Sequence, residues 1–190
     1  MNKKSVIGII IAAIINLAIY PLGSSSGLIH PVCYAFVGTL LPMLFAFTYL
    51  YTASRMKFFG AALVLNGVVI IAGLATGEGD LLFAAVLAGL TILSEVIRGI
   101  MGYEKINSIK WSFIPFAYSF YTYTMHWWTD TQGSLNNALE EMPEGYAAKM
   151  EAVIDSKGAL VCALILVIPV AYLGINLALK VMKKSRERLN

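Results

Sequence analysis

The charged residues of this chain stand in short islands, and between them lie six apolar runs of the length that crosses a bilayer. The runs cover about 5–22, 29–51, 58–76, 81–100, 111–129 and 158–180. With 58% hydrophobic and only 13% charged residues, the chain carries more apolar surface than a soluble core of this size buries. The expected fold is an all-α membrane protein: a bundle of six transmembrane helices, with short amphipathic helices in the last external loop. It forms one integral membrane domain over 1–190.

Six spans give the loops two sides, and the charges sort between them. One side holds Lys3, Lys4, Arg55, Lys57, Arg98, Lys105, Lys110 and the basic tail Lys180, Lys183, Lys184, Arg186 and Arg188. The other holds Lys149 and Lys157 against Glu78, Asp80, Asp130, Glu140, Glu141, Glu144, Glu151 and Asp155. The positive-inside rule then predicts a multi-pass protein of the cell membrane with both termini cytoplasmic. The basic residues sit at helix ends without interleaved aromatics, so no nucleic-acid partner is expected.

Within the runs, punctuation sets the expected details. Pro21 stops the first apolar run at Tyr20. That run also fits a secretory signal peptide, although Asn16 interrupts its apolar core. Pro42 kinks the second helix, with Thr39 placed to back-bond locally. Gly60, Gly67 and Gly73 allow close approach along the third. Glu95 and Arg98, three apart, pair on one face of the fourth. Between 129 and 157, Leu135, Leu139, Met142, Tyr146, Met150 and Val153 recur every three or four residues. Two amphipathic helices follow, with Ser134 as an N-cap and Pro143 as the break. Cys33 and Cys162 lie in apolar runs and are read as small buried residues.

Chemistry concentrates in Phe113–Asp130, FIPFAYSFYTYTMHWWTD. Helical spacing makes two stripes of it: Tyr118, Tyr121, Met125 and Trp128, and Phe116, Phe120, Tyr123 and Trp127. An interfacial belt accounts for some of these rings. Three turns of them, with an imidazole, require one face to look into protein. The candidate substrate-binding residues on the external side are Ser25, His30, Glu78, Tyr121, His126, Trp127, Trp128 and Asp130, forming a small-molecule pocket under the long loop. Both tryptophans are expected to stack on the ligand, if the first and fifth helices are near neighbours. His30, His126, Asp130 and Glu78 are the set a metal would need. No HxxxH or CxxC spacing occurs, so no metal ligand is assigned. There is no GxSxG, no HExxH and no glycine-rich phosphate loop, so neither catalytic residues nor a bound cofactor are expected.

Several segments carry a family resemblance. Lys57-Phe-Phe-Gly-Ala-Ala-Leu-Val-Leu-Asn-Gly67 opens the third helix and Thr76-Gly-Glu-Gly79 closes it. Ser94-Glu-Val-Ile-Arg98, Gly102-Tyr103 and the segment around Tyr146-Ala147 follow, before a last helix ending in lysines. On these the chain resembles the Trep_Strep (MptD-like) family of substrate-binding S components of energy-coupling factor (ECF) transporters. The resemblance implies capture of a vitamin-like micronutrient at the external face. It also implies association with a transmembrane coupling protein and two cytoplasmic ATPase subunits, which hydrolyse the ATP. Many S components dock through Ala-x-x-x-Ala on the first helix; here Gly8-Ile-Ile-Ile-Ala12 stands in that place, making Gly8 and Ala12 the candidate partner-docking residues. Two other classes remain open: a stand-alone secondary carrier or channel, disfavoured because no paired interrupted helices are visible, and a non-transport membrane assembly protein.

Overall fold

The computed structural model describes residues 2–187, with side chains through 184; Arg186 and Arg188 of the basic tail lie outside the described side chains. The helices in chain order are α1 (Lys3–Ser24), α2 (Pro31–Val37), α3 (Pro42–Arg55), α4 (Ala61–Thr76), α5 (Leu81–Met101) and α6 (Ile106–Ala117). There follow α7 (Ser119–Thr124), α8 (His126–Thr129), α9 (Thr131–Glu141), α10 (Tyr146–Asp155) and α11 (Lys157–Glu187). Four stretches are long and apolar enough to cross a membrane: Lys3–Leu28, Pro31–Arg55, Leu81–Met101 and Lys157–Lys184. The third apolar run forms a shorter apolar helix, Ala61–Thr76, and the fifth is divided among α6, α7 and α8.

The surface of these helices is aliphatic and their interior aromatic. Ile7, Ile10, Ile14, Ile92, Leu93, Ile165 and Leu173 stand exposed on α1, α5 and α11. Phe45, Tyr49, Phe113, Phe116 and Phe120 are wholly buried at the centre, with Tyr49 and Phe116 ring centroids 4.7 Å apart. A helix in lipid gains nothing by hiding leucine; it gains by packing and by pairing polar groups. Asn16 accordingly sits buried between helices, donating to the Leu65 carbonyl at 3.4 Å and accepting from Thr48 at 3.1 Å. Asn66 donates to Thr91 (2.9 Å) and Ser119 (3.1 Å), and Tyr49 joins Ser94 and Ser112. Each such bond stabilises a membrane bundle by about 0.6 kcal/mol. The order of neighbours is α1 against α3 and α4, then α4–α5, α5–α6, α6–α11 and α11–α3.

Proline and serine chemistry shifts several expected boundaries. Helix α1 does not stop at Tyr20. It runs through Pro21 to Ser24, because Ser24, Ser25 and Ser26 return their hydroxyls to the carbonyls of Pro21, Leu22 and Gly23 before a 3-10 turn, Ser25–Leu28. The second run tightens into i→i+3 turns between Val37 and Pro42, which begins α3 where its missing N–H costs nothing. Thr39 does not back-bond locally: its hydroxyl is 2.6 Å from that of Tyr121 and also reaches the Ala163 carbonyl. The aromatic stretch is likewise not one helix. Pro115 cannot donate to the ladder, and i→i+3 bonds at Tyr118 and Trp128 mark the joints. The second and fifth runs thus each carry tightened turns, and Thr39 in the turn of the second meets Tyr121 of α7.

Other small residues divide by role. Gly174 lets α11 approach the backbone of α3, since a Cβ there would stand 3.0 Å from the Pro42 carbonyl oxygen. Gly67, expected in a close helix contact, has nothing nearby. Cys33 and Cys162 are free thiols on outward faces rather than buried.

The two ends of the bundle differ. At the basic end, Glu95 and Arg98 are fully buried 3.8 Å apart on α5. Glu95 accepts from the N–H groups of Gly60 and Ala62 at the start of α4, and Gly60, with φ of 125°, supplies a turn that other residues resist. Arg98 donates to the carbonyls of Ala53, Met56 and Phe58 at the end of α3. The pair bolts the α3–α4 connection to α5. At the acidic end, α9 and α10 fold over α2 and α8. Asp130, not Ser134, caps α9; Ser134 is buried and donates to the His126 carbonyl. Met142–Gly145, containing Pro143, is the expected break, while Leu139 points outward.

Candidate functional site

At the acidic end the C-terminal turn of α1, α2, the α4–α5 turn, α7 and α8 leave a hollow that the α9–α10 cap roofs over. Helix α7 carries Tyr123 and α8 carries Trp127, four residues on and on the same side. Beside them, α2 presents Tyr34, packed on Trp127 with ring centroids 4.8 Å apart. The cap contributes Tyr146 from α10, close enough to Gly27 that a Cβ there would stand 3.5 Å from the Tyr146 hydroxyl. These rings surround a cavity of about 520 Å³, closed by Ser24 and Gly27 below and by Asn137, Met142 and Met150 from the cap. Its volume suits a small molecule.

Two carboxylates reach this cavity. Glu78, in the α4–α5 turn, accepts a 2.7 Å hydrogen bond from the Tyr123 hydroxyl, and Glu141 ends α9. His126 lines it too, with Nδ1 2.8 Å from the Tyr123 carbonyl. A carbonyl only accepts, so Nδ1 carries a proton and, in the neutral ring, Nε2 is an acceptor. Burial pushes the Tyr146 phenol above its ordinary range, with Cys33 adding to it, so that side chain remains a neutral hydroxyl.

Of the eight residues expected at the site, Glu78, His126 and Trp127 come together on this cavity. Ser25 is turned away, its hydroxyl on the Leu22 carbonyl 2.8 Å away; its neighbour Ser24 lines the cavity instead, as does Ser134. His30 is spent as a helix cap, accepting from the Val32 N–H. Asp130 caps α9 through Gly133 and lines only an adjoining hollow of about 260 Å³. Tyr121 is buried against Thr39. Tyr121 and Trp128 share a separate cleft of about 300 Å³ beside α5 and α11, so the two tryptophans do not face one ligand. One residue along a helix turns a side chain by about 100°, and that separates them. The first and fifth spans meet through side chains, Tyr20 lying 6.3 Å from Tyr123, while the packing neighbours of α1 are α3 and α4. Among the described residues no three His, Cys, Asp or Glu side chains gather as a metal would require.

Tyr34, Tyr146, Asn137 and Glu141 were not foreseen. Tyr146 belongs to the repeat in the long loop and was legible as buried. Tyr34 has no such signal, because its importance depends on α2 packing beneath α10. Gly8 and Ala12 line an apolar groove of about 770 Å³ along α1 and α3. A Cβ on Gly8 would run into the Tyr51 hydroxyl, so this glycine first serves packing within the chain.

A family model described as "hypothetical bacterial integral membrane protein (Trep_Strep)" matches residues 3–188. The chain belongs to the Trep_Strep family. As a Trep_Strep protein it is an integral membrane protein, in keeping with its aliphatic exterior and apolar helices. No curated protein and no solved structure matches it.

Proposed function

We propose that this Trep_Strep protein is the substrate-binding subunit of an ECF-type importer. The observation that carries the reading is the roofed aromatic cavity at the end of the bundle opposite the basic loops. With the basic loops inside, six spans place both termini in the cytoplasm and open the cavity toward the exterior. There a vitamin-like micronutrient binds. The chain holds no cofactor and performs no chemistry; a transmembrane coupling protein and two cytoplasmic ATPase subunits drive the inward step. The α1–α3 groove, through Ile11, Ala12, Ile15 and Ala18, suits a partner helix in lipid, where close packing replaces the hydrophobic effect. Affinity isolation of the tagged full chain from its native membrane should recover a coupling protein and two ATPases, and Ala18→Leu should reduce that recovery. Recovery of the chain without ATPases overturns the reading.

One observation favours a second reading, a stand-alone secondary carrier. The second and fifth apolar runs would occupy corresponding places in two halves of three, both carry tightened turns, and Thr39 in the turn of the second meets Tyr121 of α7. Discontinuous helices of this kind build the substrate sites of many carriers. Solute accumulation in proteoliposomes containing this chain alone, driven by an ion gradient, separates a carrier from a subunit.

A further inference from the structure

We propose that the ligand of the cavity is a ring-bearing organic cation, seated against the wall formed by Tyr34, Tyr123, Trp127 and Tyr146 with its charge toward Glu78 and Glu141. This rests on reading the cavity as a ligand site and adds the chemistry of the ligand. Charge balance is the first observation. Two carboxylates and no lysine or arginine line the cavity. Among the described residues the ion pairs are Lys57–Glu104 and Glu95–Arg98, both at the other end, so neither Glu78 nor Glu141 has a cationic partner. Lys149 and Lys157, the cations of this end, are exposed and lie off the cavity.

The rings are the second observation, independent of the first. Aromatic faces are electron-rich and attract a cation placed over them, and aromatic boxes recognise quaternary ammonium groups on this basis. A flat ring gains by stacking on the same walls. The polar groups already in use agree. The Tyr123 proton is committed to Glu78, and His126 Nδ1–H to a carbonyl, leaving Nε2 as an acceptor. An anion would meet two uncompensated carboxylates and the repelling faces of the rings. A cation with N–H or N–CH₃ groups completes both sets.

Isothermal titration of the detergent-purified full chain with benzyltrimethylammonium, benzyl alcohol and benzoate tests this, each against a micelle blank. The cation should bind about tenfold or more tighter than either analogue, a difference of about 1.4 kcal/mol. Glu78→Gln and Glu141→Gln, both at exposed positions that leave packing intact, should each weaken the cation severalfold and leave benzyl alcohol unchanged. If benzyl alcohol or benzoate binds as tightly as the cation, and Trp127→Ala abolishes it, the cavity stands and the cation is wrong. No saturable binding by any of the three overturns both.

Discussion

The two ends of this bundle carry comparable chemistry arranged to opposite effect. At the basic end a carboxylate and a guanidinium are buried, and each is spent on backbone: Glu95 on the first N–H groups of α4, Arg98 on the last carbonyls of α3. At the acidic end Glu78 accepts from the Tyr123 hydroxyl, neither it nor Glu141 is in an ion pair among the described residues, and the rings beside them line open space. Satisfied charge makes a joint. Exposed carboxylates beside an aromatic cavity leave charge at its rim.

Topology breaks the comparison most completely, because the account assigns the two ends to opposite sides of the membrane. Tags at Met1 and Asn190 should be protected from protease in intact cells, and a tag near Asn136 should be cut. A cleaved Asn190 tag would place the cavity on the wrong side for import. Next in size is the bolt. Arg98→Met leaves Glu95 charged and buried, and should destabilise the protein by about 3–5 kcal/mol, read by denaturant unfolding in detergent. A loss under about 1 kcal/mol would mean that the pair is no joint. The cavity end is expected to tolerate truncation better: Glu78→Gln should leave unfolding nearly unchanged.

The two faces of the aromatic segment sharpen the comparison further. Truncating a buried aromatic anchor costs about 2 kcal/mol or more of binding, roughly thirtyfold in affinity. Trp127→Ala should show that loss toward benzyltrimethylammonium, whereas Trp128→Ala, on the separate cleft, should stay within about twofold. Equal losses in both would put the two tryptophans on one ligand after all. The smallest effect belongs to Asp130→Ala. Losing the cap of α9 should destabilise the roof by about 1 kcal/mol, seen as faster amide exchange across Thr131–Glu141 with unfolding at the basic end unaltered.

How much of this was legible follows from the range of each interaction. Four of the six apolar runs, the Glu95–Arg98 spacing and the two aromatic stripes are local patterns, and each has a counterpart in the structure. Which stripe lines a cavity was not legible, since it depends on Tyr34 and Tyr146 arriving from distant segments. The serines misled because a helix end used their hydroxyls to satisfy its own carbonyls. His30 and Asp130 misled in the same way, as polar residues beside a pocket that were caps. Proline positions were legible, but the Thr39–Tyr121 contact beside Pro42 was not, since its partners lie 82 residues apart.

The central claim is that the space between Trp127 and the α9–α10 cap holds a small molecule. Native mass spectrometry of the protein released from its own membrane addresses that directly, comparing the wild type with Trp127→Ala and Trp128→Ala. The account predicts one retained small-molecule mass on the wild type and on Trp128→Ala, lost from Trp127→Ala. The same mass retained equally by all three, or none on the wild type, would contradict it.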